Sequence, residues 1–438
     1  MMELRYFKFV NNEMNQMKRI LASLLAVSML AFASGCGGSS SAPASSAPAS
    51  SATASSEAPA QSQSAESTPA PSEVASATPE RSEGSAWFGA SSDPLPAIAV
   101  EDLKVGVIHI TDPAEGSGYT YTHDQGIVGM QENIGLKPEQ IIRKNNVNDL
   151  DASAIETAIL ECIEEGCQVI FATSWGYMDT CEAIAEEYPE VILSHGTGYK
   201  SNGANFNNYF GRIYQARYLT GIAAGLKTKT NKIGYVAAQN SENSEVTGGC
   251  DAFAMGVYSV NPDAEVYVKV TGSWFDPEGE KQAAEALIAE GCDVIGQHCD
   301  TPNPQLAAEE KGVWGVGYNS DMSKDAPKAV LTSTVWDWSA YYTAAVQRVI
   351  AGEWNGQNYF GGMADGLVAY SPLSDLCEEG TAEAIDAVQQ KIMSGEWDVF
   401  TGPIEDNQGN VVCAEGEKLD DATITGGINW YFKNVTVK

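Results

Sequence analysis

Residues 233–270, IGYVAAQNSENSEVTGGCDAFAMGVYSVNPDAEVYVKV, decide the fold. The two ends, 233–237 and 265–270, are short runs rich in Val and Tyr, which is typical of strands buried in a parallel sheet. The segment 246–260 between them has the length and apolar content of a helix. A strand, a helix and a second strand in this order place both strands parallel in one sheet, with the helix on its face. The stretch therefore predicts an α/β protein.

The same alternation continues on both sides of this unit. Before it, strands are predicted at 103–110, 141–142, 169–173 and 191–194, and helices at 123–133, 151–165, 178–188 and 213–226. After it, helices are predicted at 278–290, 304–311 and 340–350, and strands at 294–296, 313–317 and 331–335. Two consecutive series predict two doubly wound parallel-sheet lobes. We expect the helix at 340–350 to return to the first lobe, which makes the connection a multi-strand hinge.

A lipoprotein signal peptide is predicted ahead of the lobes. Lys8, Lys18 and Arg19 form a basic region, and residues 20–33 form an apolar segment that is short for a membrane span. The segment ends in Ala-Ser-Gly before Cys36, which predicts cleavage there and a diacylglycerol on the Cys36 thiol. An ordinary secretory signal with a chance cysteine is the alternative. A tract of Ser, Ala and Pro with few large apolar residues follows, and we expect it to be a disordered tether.

The predicted organisation has five parts. Residues 1–36 are the signal peptide with its lipobox cysteine, and residues 37–100 are the tether. The N-terminal lobe spans 101–209 and the C-terminal lobe 210–335. Residues 336–438 contain the helix that returns to the N-terminal lobe and a C-terminal tail. This order predicts a body held by a lipid at the extracellular face of the cell membrane.

The composition argues against several classes of protein. The chain has 25 Lys and Arg against 58 Asp and Glu, a net charge of −33, which repels the phosphates of nucleic acid. The four histidines lack metal-ligand spacing with the cysteines, so we predict no metal site and no cofactor. Outside a cell the eight cysteines after Cys36 could pair or remain free and buried. No nucleophile motif or aspartate cluster is present, so we predict no enzyme.

Aromatic and polar residues follow the predicted strands of both lobes. Ligands of open parallel sheets bind beyond the carboxyl ends of the strands, where these residues gather. The segments are 111–121, 174–179, 195–199, 272–276, 297–300, 318–321 and 336–338. They contain Trp, Tyr, Asp and Asn without a basic cluster, which favours a flat, nitrogen-rich, uncharged or cationic ligand between rings. Each aromatic could instead serve packing, and Asp179 and Asp276 could be helix caps.

Seven segments resemble those of the basic membrane protein family, which are substrate-binding lipoproteins of ABC importers. They are 118–126 (GYTYTHDQG), 171–179 (FATSWGYMD), 187–191 (EYPEV), 232–236 (KIGYV), 260–264 (VNPDA), 273–277 (SWFDP) and 317–322 (GYNSDM). The resemblance implies a type I periplasmic-binding-protein fold. Nucleoside-binding members carry Gly-Gly-x-x-Asp-x-Ser-Phe-Asn after the first strand, whereas this chain has GSGYTYTHD at 116–124. The departure favours a free purine base such as adenine over a nucleoside.

The resemblance also implies a set of ligand-binding residues, which follow the strands of both lobes: Tyr119, Tyr121, Trp175, Gly176, Tyr177, Trp274, Asp300, Asn319 and Asp321. Tyr119 and Trp175 match stacking aromatics of the family, and we expect Trp274 to face the ligand from the second lobe. Asp300 and Asn319 match polar positions that face the ligand. Asp321 could instead have a structural role.

The function implied by the resemblance is capture of a purine base or nucleoside by lobe closure, followed by docking on an ABC permease. We expect a monomer anchored to the membrane by its lipid, with no nucleic-acid partner. Three alternatives stay open at this point. They are a membrane-tethered sensor, a nucleoside-processing enzyme, and the same fold binding another small molecule such as a flavin or a sugar.

Overall fold

The computed structural model describes residues 85–438. The first part of the chain contains β1 Trp87–Phe88, β2 Val105–Ile108, α1 Gly118–Ile134, β3 Ile141–Lys144, α2 Ala152–Glu164, β4 Val169–Ala172, α3 Met178–Glu187, β5 Ile192–Gly196 and β6 Phe206–Gly211. The middle part contains α4 Ile213–Lys227, β7 Lys232–Ala237, α5 Ser244–Val260, β8 Glu265–Val270, α6 Pro277–Ala289, β9 Val294–His298, α7 Asn303–Lys311, β10 Trp314–Asn319 and β11 Val330–Trp336. The last part contains α8 Trp338–Ala351, β12 Asn358–Gly361, β13 Val368–Tyr370, α9 Thr381–Ser394, β14 Ile404–Glu405, β15 Val411–Cys413, α10 Asp421–Gly426 and β16 Val435–Val437. The predicted signal peptide, Cys36 and the predicted tether up to residue 84 lie outside the described residues.

A seven-stranded sheet forms the first lobe, in the order β1-β12-β6-β5-β4-β2-β3. Its strand pairs are parallel except for β1 with β12, which run antiparallel. Strands β2 (VGVI) and β4 (VIFA) are buried along their whole length. Such continuous apolar runs are expected where helices cover both faces of a parallel sheet.

A second seven-stranded sheet forms the other lobe, in the order β13-β11-β10-β9-β7-β8-β16. The stretch that opened the sequence analysis forms β7, α5 and β8, and the two strands pair in parallel from Lys232 with Glu265 to Ala237 with Val270. Among the described strand pairs of this sheet, only the pair of β13 with β11 is antiparallel. The predicted α/β fold with two doubly wound lobes is confirmed.

The chain crosses between the two sheets three times within residues 85–438: from β6 to α4, from β11 to α8, and from β12 to β13. Helix α8 packs on α1 of the first lobe, where Gly126 permits close approach. A Cβ atom at Gly126 would lie 2.5 Å from the Cβ of Trp338. At the same crossing the rings of Trp336 and Trp338 stack with their centroids 4.5 Å apart. These crossings form the hinge side of the space between the lobes.

Two parts of the predicted organisation differ from the structure. Residues 85–100, predicted as the end of the disordered tether, lie against the first lobe: β1 pairs with β12, and the Leu95 N–H donates to the Trp354 carbonyl at 2.8 Å. The segment 336–438, predicted as a return helix and tail, is folded throughout, with β12 in the first sheet and β13 and β16 in the second. The added strands have two to four residues, which is too short for a periodic pattern.

Strand β6 (FNNYFG) is absent from the sequence prediction because two asparagines interrupt its apolar run. Asn207 is nevertheless fully buried. Its amide donates to the Tyr341 hydroxyl at 3.1 Å and to the Gln357 carbonyl at 3.0 Å. Buried amides are stable in a core when their hydrogens are bonded in this way. The formation of this strand therefore depends on hydrogen-bond partners more than a hundred residues away in the chain.

The eight cysteines after Cys36 all lie within residues 85–438. All eight cysteines after Cys36 are free, and only Cys377 is not fully buried. No group of three or more His, Cys, Asp or Glu side chains in this part is placed to hold a metal ion. None of the helices described for it is long and apolar enough to cross a membrane.

Candidate ligand-binding site

A cleft of about 690 Å³ lies between the lobes, at the carboxyl ends of strands from both sheets. Such an edge is the usual ligand site of open parallel sheets. Five of the nine predicted ligand-binding residues line it: Tyr119, Trp175, Gly176, Trp274 and Asp300. The structure therefore brings together residues that are up to 181 positions apart in the chain.

Tyr119 lies in the first turn of α1 and reaches the cleft from the first lobe. Its ring packs edge-on against His123 with the ring centroids 4.4 Å apart, and His123 stacks on Trp338 at 4.3 Å. These contacts with the hinge hold the Tyr119 ring in place. The Tyr119 hydroxyl is buried without a hydrogen-bond partner among residues 85–438. Burial raises the pKa of Tyr119 well above its usual value, so the group stays a neutral donor and acceptor. A buried polar atom of this kind is stabilised when a ligand bonds it.

Trp175 follows β4 and begins a 3₁₀ turn, Trp175–Tyr177. The turn is held by Ser174, whose hydroxyl donates to Asp149 Oδ2 at 2.7 Å and accepts from the Gly176 N–H at 3.2 Å. The side chain of Trp175 is 58% exposed in spite of its size. A flat ligand that covers this exposed indole binds favourably, because the contact removes the apolar face of the ring from water.

Trp274 and Asp300 form the facing wall in the second lobe. The Asp300 N–H donates to the Trp274 carbonyl at 2.9 Å, which ties the two segments together. Asn319 lies behind Asp300 and donates from Nδ2 to Asp300 Oδ1 at 3.0 Å. Burial raises the pKa of Asp300 to about 8, although the bond from Asn319 acts in the opposite direction. Near neutral pH the carboxyl group is therefore largely protonated and can donate as well as accept.

The lobes approach each other at Gly118, the residue before Tyr119. Its backbone N–H donates to the Ser320 hydroxyl of the second lobe at 3.3 Å. Gly118 has φ +82°, and a Cβ atom there would lie 2.3 Å from the carbonyl oxygen of Asp300. Glycine is needed here both for the left-handed backbone and for the short distance between the lobes.

Glu245 also lines the cleft and is not among the nine predicted ligand-binding residues. It lies in the first turn of α5, with Oε1 3.6 Å from the His298 Nε2. Burial raises the pKa of Glu245 to about 7, against the lowering effect of Arg217. Burial also lowers the pKa of His298 well below its usual value, so the ring is neutral and does not form an ion pair with Glu245.

The rule used for the other strands could have found this residue. Segment 238–245 follows β7 at the same edge of the second sheet, and three of its residues line the cleft: Gln239, Asn243 and Glu245. Tyr318 and Phe275, which lie within segments quoted in the sequence analysis, line it as well.

The other four predicted residues occupy different places. Tyr177 lies in the core of the first lobe and its hydroxyl donates to the Val147 carbonyl at 2.8 Å. Successive side chains of a 3₁₀ turn diverge by about a third of a turn, so Trp175 and Tyr177 face different ways. Tyr121 is two residues after Tyr119 on α1, about 200° around the helix, and is not among the lining residues. Asp321 accepts from the Ser323 N–H at 3.0 Å and caps a short turn, whereas Asn319 supports Asp300 from behind.

The electrostatic character of the cleft follows from its lining. None of the lining side chains that the structure describes is Lys, Arg or His, whereas Asp149, Glu245 and Asp300 are acidic. Such a wall offers no cation to a phosphate or carboxylate group of a ligand. It suits a neutral or cationic molecule whose N–H groups point to oxygen acceptors.

Residues 103–401 match a family whose model is described as ABC transporter substrate-binding protein, PnrA-like. A purine-binding protein of Brucella abortus is 38% identical over 342 residues, which cover 78% of this chain and 95% of that protein. A provisionally named ABC transporter glucose-binding protein of Haloferax volcanii is 33% identical over 302 residues, 69% of this chain and 75% of that one. A solved solute-binding protein of an ABC transporter system from Conexibacter woesei has a TM-score of 0.57 at 18% identity and covers 68% of this chain and 98% of its own. That likeness concerns the fold alone.

Proposed function

Because the chain belongs to the PnrA-like family of ABC-transporter substrate-binding proteins, we propose that it captures a purine base such as adenine by closing its lobes on it. Substrate-binding proteins of ABC importers work on the outer side of the membrane and deliver a small molecule to a permease. The Brucella abortus relative is named as purine-binding, which supports the choice of ligand.

The observation that carries the proposal is an open indole facing acidic groups across a cleft whose described lining residues include no basic side chain. A purine is flat, so Trp175 and Trp274 can cover its faces, and each ring contact contributes roughly 0.5–1.5 kcal/mol beyond the buried area. Its edge carries N–H groups and ring nitrogens. Asp300, Glu245 and the unpartnered Tyr119 hydroxyl are a matching set of acceptors and donors. With both faces and the edge covered, a Kd of about 1 μM, or roughly −8 kcal/mol, is reasonable.

The recognition is divided between the lobes. Tyr119 and Trp175 belong to the first lobe, whereas Trp274, Glu245 and Asp300 belong to the second. A ligand that contacts both sets binds the closed form better than the open form and therefore shifts the equilibrium towards closure. The three crossings at the hinge allow this movement while they keep the two walls in register.

A sugar is the second candidate ligand. The Haloferax volcanii relative is named as a glucose-binding protein, and carboxyl groups beside indole rings also suit a sugar ring. Glucose has no aromatic face, however, whereas the cleft is lined by two indoles, Trp175 and Trp274, that a flat aromatic ring covers more fully. Purines therefore remain our choice.

Calorimetric titration of the mature chain with adenine, adenosine and glucose tests the proposal. Co-purified molecules are first removed by unfolding and refolding, and the released material is identified by mass spectrometry. We expect adenine to bind with a Kd near or below 1 μM and glucose to bind at least a hundredfold more weakly. Tighter binding of glucose would reject the purine in favour of the sugar.

The anchor and the partner complete the proposal. Cys36 receives a diacylglycerol, and the tether holds the two lobes as a monomer near the permease on the extracellular face. Labelled palmitate should be incorporated into the wild-type protein, whereas Cys36→Ser should remain unlabelled and be released to the medium. Uptake of labelled adenine by cells should fall when the chain is deleted. Label on the Cys36→Ser protein would contradict the anchor.

A further inference from the structure

A second cavity of about 650 Å³ lies beside the cleft, and we call it the side chamber. Trp175, Thr197, Asn243 and Glu245 belong to the walls of both cavities. These four residues therefore form a shared boundary, and the two spaces are adjacent compartments between the lobes. A ligand whose base lies in the cleft against Trp175 has the side chamber directly beyond that ring.

The remaining walls of the side chamber are rich in aromatic rings, among them Phe88, Tyr199, Phe210, Phe360 and Phe400. Phe88 lies on β1 and Phe360 on β12, two strands that the sequence analysis does not predict. Phe400 belongs to the folded segment after α9. The chamber is thus built largely by the N-terminal and C-terminal segments that surround the central lobes. Most of its aromatic rings therefore do not follow a predicted strand.

The charge of the side chamber excludes anionic ligands. No described lining residue is basic, and Glu242, Glu245 and Asp421 are acidic. The nearby Arg212 is engaged: its Nη2 donates to Asp421 Oδ2 at 2.7 Å, its Nη1 bonds Asp421 Oδ1, and its guanidinium lies over the Phe360 ring at 4.5 Å. A phosphate in the chamber would meet carboxylates, and the nearby guanidinium of Arg212 is already paired with Asp421.

Two further polar side chains of the chamber, Tyr214 and Asn208, already have protein partners. The Tyr214 hydroxyl donates to Asp398 Oδ2 at 3.0 Å and accepts from Arg212 at 3.2 Å. The Asn208 amide donates to the His195 carbonyl at 3.2 Å. A sugar in the chamber would have to compete with these bonds or bury hydroxyl groups against aromatic rings, which is costly. An apolar ring needs no such partners.

We infer that the side chamber binds an uncharged apolar ring that is attached to a purine whose base occupies the cleft. This inference rests on the proposed function, because the base must first lie against Trp175. Tyr199, 71% exposed at the chamber wall, is then covered by the attached ring. The preferred ligands are N-substituted purines, whereas nucleotides and ribosylated purines gain nothing from the chamber.

Calorimetric titration of the mature chain with adenine, N6-benzyladenine and N9-benzyladenine tests the inference, with adenosine and AMP as polar and anionic comparisons. We expect at least one benzyladenine to bind about tenfold more tightly than adenine, because its ring adds apolar area and aromatic contacts. Adenosine should show less than about a threefold gain, and AMP should bind more weakly than adenine.

Two variants separate the chamber from the cleft. Tyr199 lines the chamber only, so Tyr199→Ala should leave adenine affinity within about twofold and reduce the benzyl advantage below about threefold. Phe275 is the matched control, an exposed aromatic that lines the cleft only. Phe275→Ala should weaken adenine and benzyladenine by the same factor. Both side chains are exposed, and circular dichroism checks that the variants fold.

The outcomes distinguish the chamber from the proposed function. Adenine binding without a gain for either benzyladenine overturns the side chamber and leaves the purine site in place. A gain for adenosine that exceeds both benzyl gains also overturns it, as does an equal loss of adenine and benzyladenine affinity in Tyr199→Ala. No measurable adenine binding by the wild type overturns both inferences.

Discussion

Substitution of Asp300 by Asn tests the electrostatics of the cleft directly. Burial raises the pKa of Asp300 from its ordinary value of 3.8 to about 8. Between these values the unfolded chain is ionised at this residue while the folded protein keeps the proton. A carboxyl group with a raised pKa therefore makes the folded state less stable as the pH rises through this window. Asn cannot ionise, and its Oδ1 can still accept the hydrogen bond from Asn319.

The size of the effect follows from the pKa difference. One unit corresponds to about 1.4 kcal/mol. Between pH 3.8, the ordinary pKa, and pH 7, Asp300 can lower the free energy of unfolding by at most about 4 kcal/mol. Asp300 is partly accessible from the cleft, and solvent reduces the effect. We expect Asp300→Asn to stabilise the ligand-free protein by roughly 1–3 kcal/mol at pH 7 and by almost nothing at pH 4.

Urea unfolding at pH 4, 5, 6 and 7 measures this difference, and adenine titration measures function. The variant should bind adenine at least about tenfold more weakly, because the donor and acceptor pattern at the base edge is altered. Asp321→Asn is the control for the substitution itself, since an asparagine can cap the same turn outside the cleft. A destabilised Asp300→Asn at pH 7, or a gain that persists unchanged at pH 4, would refute the reasoning.

Three further changes test the other walls. Trp175→Ala should weaken adenine binding at least about tenfold without lowering the unfolding temperature, because the indole is exposed; calorimetry and a thermal melt check both parts. Gly118→Ala should weaken binding by about tenfold or more, since the added Cβ collides with the Asp300 carbonyl and separates the lobes, which X-ray scattering with ligand would detect. Adenine affinity of the wild type should rise from pH 6 to pH 7.5 as Glu245, with a pKa of about 7, becomes an acceptor for N–H groups. Glu245→Gln should remove that rise, and an unchanged slope in titrations at both pH values would count against this role.

The central fold is predictable because its strands are short, apolar and buried on both faces. Segments such as β4 (VIFA) and the β7–α5–β8 unit carry the pattern in adjacent residues. The elements that escape prediction depend on distant partners instead. Strand β6 has buried asparagines that bond to Tyr341 and Gln357, and β16 has three residues that become a strand only beside β8. Local sequence contains no information on such partners.

The candidate site is predictable to the level of its segments but not of every side chain. The rule that ligands bind at the carboxyl ends of strands selects the loops with Tyr119, Trp175, Trp274 and Asp300. It does not say which residues of a tight turn or helix face the cleft, and turn geometry directs Tyr177 into the core. Glu245 is not predicted because a polar loop separates it from β7. It lies in the first turn of α5, and this turn borders the cleft.

The positions of the acidic groups explain why closure and selectivity belong together. A carboxyl group open to water keeps its ordinary pKa, and a purine edge competes poorly with solvent there. Burial raises the pKa of both Glu245 and Asp300, and the first lobe contacts the second at Gly118, next to the Asp300 carbonyl. A neutral ligand with N–H groups replaces hydrogen bonds lost with the water, whereas an anionic ligand loses its water and gains no cation. The lobes therefore close most favourably on a ligand whose edge suits these two groups, so the selection of the ligand occurs in the closing step itself.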